Sequence, residues 1–361
     1  MKYVDEYRNS RHVAILARMI RQEAVRNYTF MEVCGGHTAA IHRFGIPSLL
    51  PAEVKLLSGP GCPVCVTPVS YIDTLVKLAS GEGITVAMFG DLMRVPGTKT
   101  SPGEAKASGA DIRVVLSAHE ALDLARSDPG RKVIFAAIGF ETTAPGTAVT
   151  LIQAEREEIG NFHVLNAHKV MPPAMEMILR EGTRIDGFIC PGHVAVITGS
   201  AAFGFIPRRY GLACAVTGFE PADIMLAVLM LIRQVNNRRP EVEIEYQRAV
   251  SAEGNRMAQG FMHEVFEPGD TEWRGLGIIP SGGLKIRERF SRFDAGIVFP
   301  VDIPRGAEVN GCLCGDILRG LNTPSDCPLY ATACTPDHPQ GACMVSGEGA
   351  CHTFYKYDNH E

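Results

Sequence analysis

Positive charge is scarce in this chain of 361 residues: 35 Lys and Arg face 40 Asp and Glu, for a net charge of −5. That balance argues against a broad nucleic-acid footprint. Long apolar runs are absent too. The densest, residues 224–232, is nine residues long and falls well short of a bilayer crossing. Residues 1–11 are charged and contain no signal-peptide core. These absences set the expectation of a cytoplasmic protein that engages neither nucleic acid nor membrane. Hydrophobic residues make up 46% and charged residues 21%, which is ordinary for a globular chain of two or three domains.

What the chain does have is cysteine, eleven in all. In a reducing compartment such a number is no disulfide framework and points to metal or redox chemistry. Cys34, Cys62 and Cys65 lie near the start, Cys190 and Cys214 are scattered, and six fall within the last 50 residues.

Strand-like and helix-like segments alternate through two thirds of the chain. Strands are expected at 28–33, 53–57, 84–89, 112–116, 133–138, 162–166, 188–190 and 213–217. Helices are expected at 10–27, 38–44, 71–79 (capped by Ser70), 119–126, 147–158, 172–181 and 223–235. This alternation predicts an α/β protein with parallel sheets covered on both faces. The turn Asp128-Pro129-Gly130 is taken as the first boundary. The reading therefore gives an α/β domain over 1–127, a second over 128–240, the two facing a cleft, and a loop-rich, cysteine-rich domain over 241–361. Residues 97–109 read as an exposed loop, 251–266 as a helix and 267–311 as a stretch of little periodicity.

Cys34-Gly35-Gly36-His37-Thr38 follows the first strand and precedes a helix. The thiol is expected at a helix N-terminus, where the partial positive charge favours thiolate, and His37 is expected close enough to share a metal or a proton with it. Cys62-Pro63-Val64-Cys65, entered through Gly59-Pro60-Gly61, has the spacing of a dithiol redox site. Half a zinc site has the same spacing, with Cys34 and His37 able to complete it, and inert buried thiols are the bland alternative. In the tail, Cys312, Cys327, Cys334 and Cys351 are separated by 14, 6 and 16 residues. Four thiolates satisfy a [4Fe-4S] cluster, and the tail lacks the close pairs that structural zinc uses. Cys314 competes with Cys312 for the first ligand position, and Cys343 is spare.

Gly139-Phe140-Glu141-Thr142-Thr143 and Pro191-Gly192-His193-Val194 lie where strands give way to helices, the position at which parallel sheets bind ligands. Glu141, Thr142, Thr143 and His193 are candidate site residues, with helix capping by either threonine and a structural histidine as the plain alternatives. Asp223 reads as a cap. His119, His163, His168 and the methionines at 171–177 read as structural.

Taken in order, these motifs resemble the HypD family of [NiFe]-hydrogenase maturation factors. The resemblance also takes in Gly341-Ala342-Cys343 through Gly349-Ala350-Cys351, and so covers essentially the whole chain. It implies an assembly scaffold more than a conventional enzyme. With a HypC-like small chaperone, it would hold the iron on which the Fe(CN)2CO unit is built. Cyanide would come from a HypE-like donor, and the product would pass on to the hydrogenase large subunit. By the same resemblance Cys34 would be an iron ligand shared with a partner cysteine, His37 would lie in that site, and Cys62 and Cys65 would be a redox pair served by the tail cluster. Glu141, Thr142, Thr143 and His193 would line the cleft around the cyanide and CO. Two rivals stand beside this reading: an Fe–S-dependent thiol–disulfide reductase and a zinc-stabilised interaction module.

Overall fold

The computed structural model describes residues 5–303 and 309–357. Residues 1–4 of the charged N-terminal stretch, and 304–308 and 358–361 of the C-terminal segment, lie outside them. The strands are β1 (Tyr28–Glu32), β2 (Val54–Ser58), β3 (Ile84–Met88), β4 (Ile112–Val114), β5 (Lys132–Gly139), β6 (Phe162–His168), β7 (Gly187–Pro191), β8 (Ala213–Thr217), β9 (Val242–Ile244), β10 (Phe266–Trp273) and β11 (Gly277–Ile286). The first sheet runs β2-β1-β7-β8-β9 and the second β4-β3-β5-β6, with all pairings parallel. The expected α/β architecture with parallel sheets and a cysteine-rich C-terminal region is the one observed. The near-continuous apolar runs of β5 and β8 are buried along their length, as strands covered on both faces must be.

One face of the first sheet is covered by the helices Ser10–Glu23 and Pro221–Asn236. Val13, Ala17 and Ile20, at helical spacing, share a core there with Ile224, Val228 and Ile232. The helix Met171–Arg180 covers the other face, burying Met171 and Met175 against Met31, Cys190 and Cys214. On the second sheet, helices Ala118–Ser127 and Ala144–Arg156 pack on Phe135 and Val133. The helix Val69–Ala79 packs on Ile134 and Met88 from the other side. Cys314, Cys327, Cys334, Cys343 and Cys351 belong to that same core, so the tail packs as part of the second sheet's interior. Among the described residues no helix is long and apolar enough to cross a membrane.

The sheets do not coincide with the sequence segments 1–127 and 128–240. The turn at 128–130 lies inside the second sheet, where β3 pairs with β5 across it, Thr85 opposite Val133. The first sheet joins residues 28–58 to residues 187–244. The cause is burial. Four of the five residues of β1 are buried, so β1 needs a hydrogen-bonded neighbour on each edge; β2 supplies one and β7 the other.

Three local expectations are corrected. Residues 97–109 are not all loop, because Pro102–Ala107 is a helix with a capping box between Ser101 and Glu104. The helix expected from Tyr71 begins at Val69 with Pro68 at its cap position, which places Ser70 in the first turn. The aperiodic region after 266 contains the antiparallel hairpin β10–β11, anchored by the buried Trp273, whose indole N–H donates to the Gly282 carbonyl at 3.0 Å.

Candidate functional site

β1 delivers Val33 and Cys34 to the carboxyl end of the first sheet, and the helix Gly35–Arg43 starts at once, with Cys34 in its cap position. The Cys34 carbonyl accepts the N–H groups of His37 and Thr38 at 2.8 and 3.0 Å. The turn is braced from below by Glu32, a residue the sequence reading passed over as part of the strand. Its Oε2 accepts the Cys34 N–H at 2.9 Å, and its Oε1 accepts the Thr38 hydroxyl. The signal was present in the sequence, since a carboxylate two residues before a motif and facing a buried strand interior needs specific partners.

Glycines set how closely other segments approach. Gly61 accepts the Gly35 N–H at 2.9 Å, bringing the Cys62 loop against the Cys34 turn. At Gly36 an added methyl would lie 3.1 Å from the Phe219 ring and 3.7 Å from Cys34 Sγ. Across Gly35 runs the side chain of Glu348, an exposed residue of the tail and a second carboxylate absent from the sequence-derived site.

Helix position alone favours a Cys34 thiolate, but the surroundings reverse that expectation. Burial, reinforced by the charge of Glu32, pushes the thiol up to about 12. Burial also raises Glu32 to about 7. Burial therefore disfavours a bare Cys34 thiolate, and a neighbouring cation would offset that cost.

His37 is fully buried, and burial depresses its imidazole to about 4. Its Nε2 lies 3.0 Å from the Gly218 carbonyl and 3.3 Å from that of Thr217, and its Nδ1 has no hydrogen-bond partner among the described residues. Phe219 is stacked between His37 and the exposed His193, with centroid separations of 4.5 and 3.9 Å. The structure thus gathers Cys34, the Cys62 loop, His37 and His193 at the carboxyl ends of β1, β2, β7 and β8. Phe219, at the centre of the histidine pair, was missed because a lone phenylalanine after a strand carries no distinguishing signal.

Glu141, Thr142 and Thr143 lie at the end of β5 in the other sheet. Glu141 is buried. Its Oε1 accepts the Met171 N–H at 2.9 Å, its Oε2 has no partner among the described residues, and burial raises its carboxyl to about 7. Thr142 is exposed. Thr143 occupies the cap position of Ala144–Arg156, yet its hydroxyl donates back to the Phe140 carbonyl at 3.2 Å and makes no cap bond. No hydrogen bond or ring contact joins these three to Cys34, His37 or His193 among the described residues.

Cys62 and Cys65 are both free and buried, with the Cys65 N–H 3.3 Å from Cys62 Sγ. Their helix begins only at Val69, so neither sulfur lies in its first turn. Burial, then the neighbouring Cys62, raises the Cys65 thiol. Cys65 Sγ reaches the Ala342 carbonyl of the tail at 3.9 Å. Among the described residues no group of three ligands forms around Cys62 and Cys65 or around Cys34 and His37, which leaves the zinc-site alternative without its second pair.

In the tail, Cys314 and Cys343 form a disulfide. With Cys351 they form a group able to hold a metal, so Cys314 remains a candidate cluster ligand beside Cys312. The free cysteines there are Cys312, Cys327, Cys334 and Cys351. Cys351 feels the other three electrostatically, and Cys312 feels Cys327 and Cys334. Four neighbouring thiols fit an iron–sulfur cluster. The sulfurs of Cys343 and Cys351 are 3.2 Å apart, which puts the disulfide against this group, and Cys314, Cys343 and Cys351 lie within 4.8 Å of one another.

The family model described as HypD, hydrogenase formation hypA family, matches residues 11–358. The hydrogenase maturation factor HypD of Azotobacter vinelandii is 47% identical over 367 aligned residues, covering 99% of this chain and 97% of that protein. HypD of Cupriavidus necator is 47% identical over 99% of this chain and 97% of its own. HypD of Escherichia coli K12 is 42% identical over 100% and 99%.

Proposed function

Because the chain belongs to the HypD family of hydrogenase maturation factors, we propose that it is the scaffold on which the Fe(CN)2CO unit is assembled, with Cys34 holding the iron. One observation carries the reading. Cys34 and His37 offer a sulfur and a bare imidazole nitrogen, yet they gather no third protein ligand among the described residues. Iron held there keeps positions open for a partner's sulfur and for diatomic ligands. A HypC-like small chaperone supplies that sulfur, a HypE-like protein brings the cyanide, and the hydrogenase large subunit receives the product in the cytoplasm. Soft thiolate suits low-spin iron carrying cyanide and CO, and the iron provides a cation that would offset the cost of burying the Cys34 thiolate.

Cys312, Cys327, Cys334 and Cys351 would hold a [4Fe-4S] cluster, which when bound supplies electrons one at a time. Cys62 and Cys65 store two electrons as a dithiol and release two protons on closing to a disulfide. The Gly61–Gly35 contact keeps that pair beside the iron site. His193, on the outer side of Phe219, and Glu141 in its protonated form would donate hydrogen bonds to the diatomic ligands. Thr142 and Thr143 add hydroxyls at the same sheet edge as Glu141.

The test is an infrared spectrum of the anaerobically purified protein with its copurifying partner, beside the same preparation from Cys34→Ala. Bands from metal-bound CO and cyanide in the parent, and none in the variant, are expected. The Cys314–Cys343 disulfide, close to both the free tail thiols and the Cys65 region, favours one second reading, a thiol–disulfide reductase. Absence of bands in both preparations, with iron, sulfide and partner present and with turnover surviving in Cys34→Ala, would select it.

A further inference from the structure

Behind the Thr217–Phe219 turn lies a charged network that the iron-scaffold reading leaves unused. The Thr217 hydroxyl and the Gly218 N–H both donate to Glu245 Oε2, at 2.9 and 3.1 Å. Arg248 pairs with Asp223, Nη1 to Oδ1 at 3.1 Å, and lies 4.0 Å from Glu245. The guanidinium is flanked by the rings of Tyr7 and Tyr246 at 3.9 and 4.4 Å. Asp223 is completely buried and the Glu245 side chain is 4% exposed. Gly218 makes room for the ion pair, since a methyl there would lie 2.2 Å from Asp223 Oδ2. Two buried carboxylates and a guanidinium are a large desolvation cost for holding one short turn.

What the turn presents is a pair of carbonyls aimed at His37 Nε2. Carbonyl oxygens only accept, so Nε2 carries the hydrogen. Nδ1 is then a bare lone pair, buried and without a partner among the described residues. An imidazole whose second nitrogen is anchored in this way is the form that binds a metal.

We propose that Glu245, backed by Arg248 and Asp223, is a positioning residue for iron capture: it clamps the Thr217–Gly218 turn, locks His37 in the Nε2–H tautomer and keeps Nδ1 available to ferrous iron. The proposal rests on the iron-scaffold reading for its last step and on this chain alone for the tautomer.

The experiment uses the full chain with its small partner, anaerobic, labelled with nitrogen-15 histidine and read by NMR before ferrous iron is added. His37→Gln identifies the His37 resonances. The parent is expected to show one tautomer, with Nδ1 unprotonated. Glu245→Ala is expected to show both tautomers, and Glu245→Gln, which keeps an acceptor oxygen, to restore the single form. Ferrous-iron affinity of the complex is expected to fall about 10–100-fold in Glu245→Ala, the usual loss when the support of a metal-bound histidine is removed. Thr217→Val removes one of the two clamping bonds and serves if Glu245→Ala does not fold. A single unchanged tautomer in the folded variants overturns the proposal. A changed tautomer with unchanged iron affinity overturns Nδ1 as the iron donor. A parent complex that binds no iron defeats the scaffold reading instead, while the tautomer result still decides whether Glu245 positions His37.

Discussion

Gly61 lies flat against Cys34, so closely that a methyl group at position 61 would come within 2.2 Å of the Cys34 nitrogen and 2.4 Å of its Cα. These are backbone atoms, held by Glu32 on their other side, and they have nowhere to move. Gly61→Ala should separate the Cys62 loop from the Cys34 turn and destabilise the fold by about 1–3 kcal/mol, the cost of overpacking a filled interior. Urea unfolding measures the stability, and the infrared bands of the partner complex report whether the two cysteine motifs still cooperate.

The tail separates into two classes of cysteine, and metal content should follow that division. Alanine at Cys312, Cys327, Cys334 or Cys351 should remove iron and acid-labile sulfide together. On the proposed ligand set, alanine at Cys314 or Cys343 should leave both in place. Iron and sulfide analysis of the six variants decides the matter, and sulfide lost from Cys314→Ala would reassign the ligands.

Glu141 should make the protein less stable as pH rises. The unfolded carboxyl loses its proton near pH 4.5, whereas burial keeps the folded one protonated to about 7. Between these values the folded state binds the extra proton, so stability falls through the window and is level above it, by on the order of 3 kcal/mol. Glu141→Gln does not titrate and keeps an acceptor for the Met171 N–H. Relative to the parent it should gain stability from pH 4.5 to 7, measured by urea unfolding across that range.

Lys169 should act in the opposite sense. It is buried, its ammonium donates to the Glu272 carbonyl at 2.6 Å, and burial lowers it to about 7 from 10.5. Above pH 7 the unfolded chain holds the proton that the folded chain has lost, so stability rises until about pH 10.5. Lys169→Met should flatten that rise, a change on the order of a few kcal/mol readable in the same unfolding series.

Much of this was legible in the sequence because it is local. The Cys34 motif falls at a strand-to-helix junction, and the apolar runs of β3, β5 and β8 identify themselves as buried parallel strands. The order of strands was not legible, because the pairing of β1 with β7 joins residues more than 150 positions apart and no local pattern specifies it. Helix position misled the reading of Cys34, since the charge of a first turn is local whereas the burial that outweighs it is tertiary. Glu348 was invisible for the same reason: it belongs to the tail in sequence and to Gly35 in space. The helix Pro102–Ala107 could have been read, as Ser101 and Glu104 form a capping signal inside a Gly- and Ser-rich stretch.

The interleaved order of the first sheet has a consequence during synthesis. The carbonyls that orient His37 belong to residues about 180 positions downstream. At ribosomal speed they emerge on the order of 10–40 s after the Cys34 motif itself. Throughout that interval the nascent chain carries the cysteine and the histidine without the geometry that joins them. On the proposed reading, iron capture would be deferred until the chain has closed on itself, and the partner would meet a finished site.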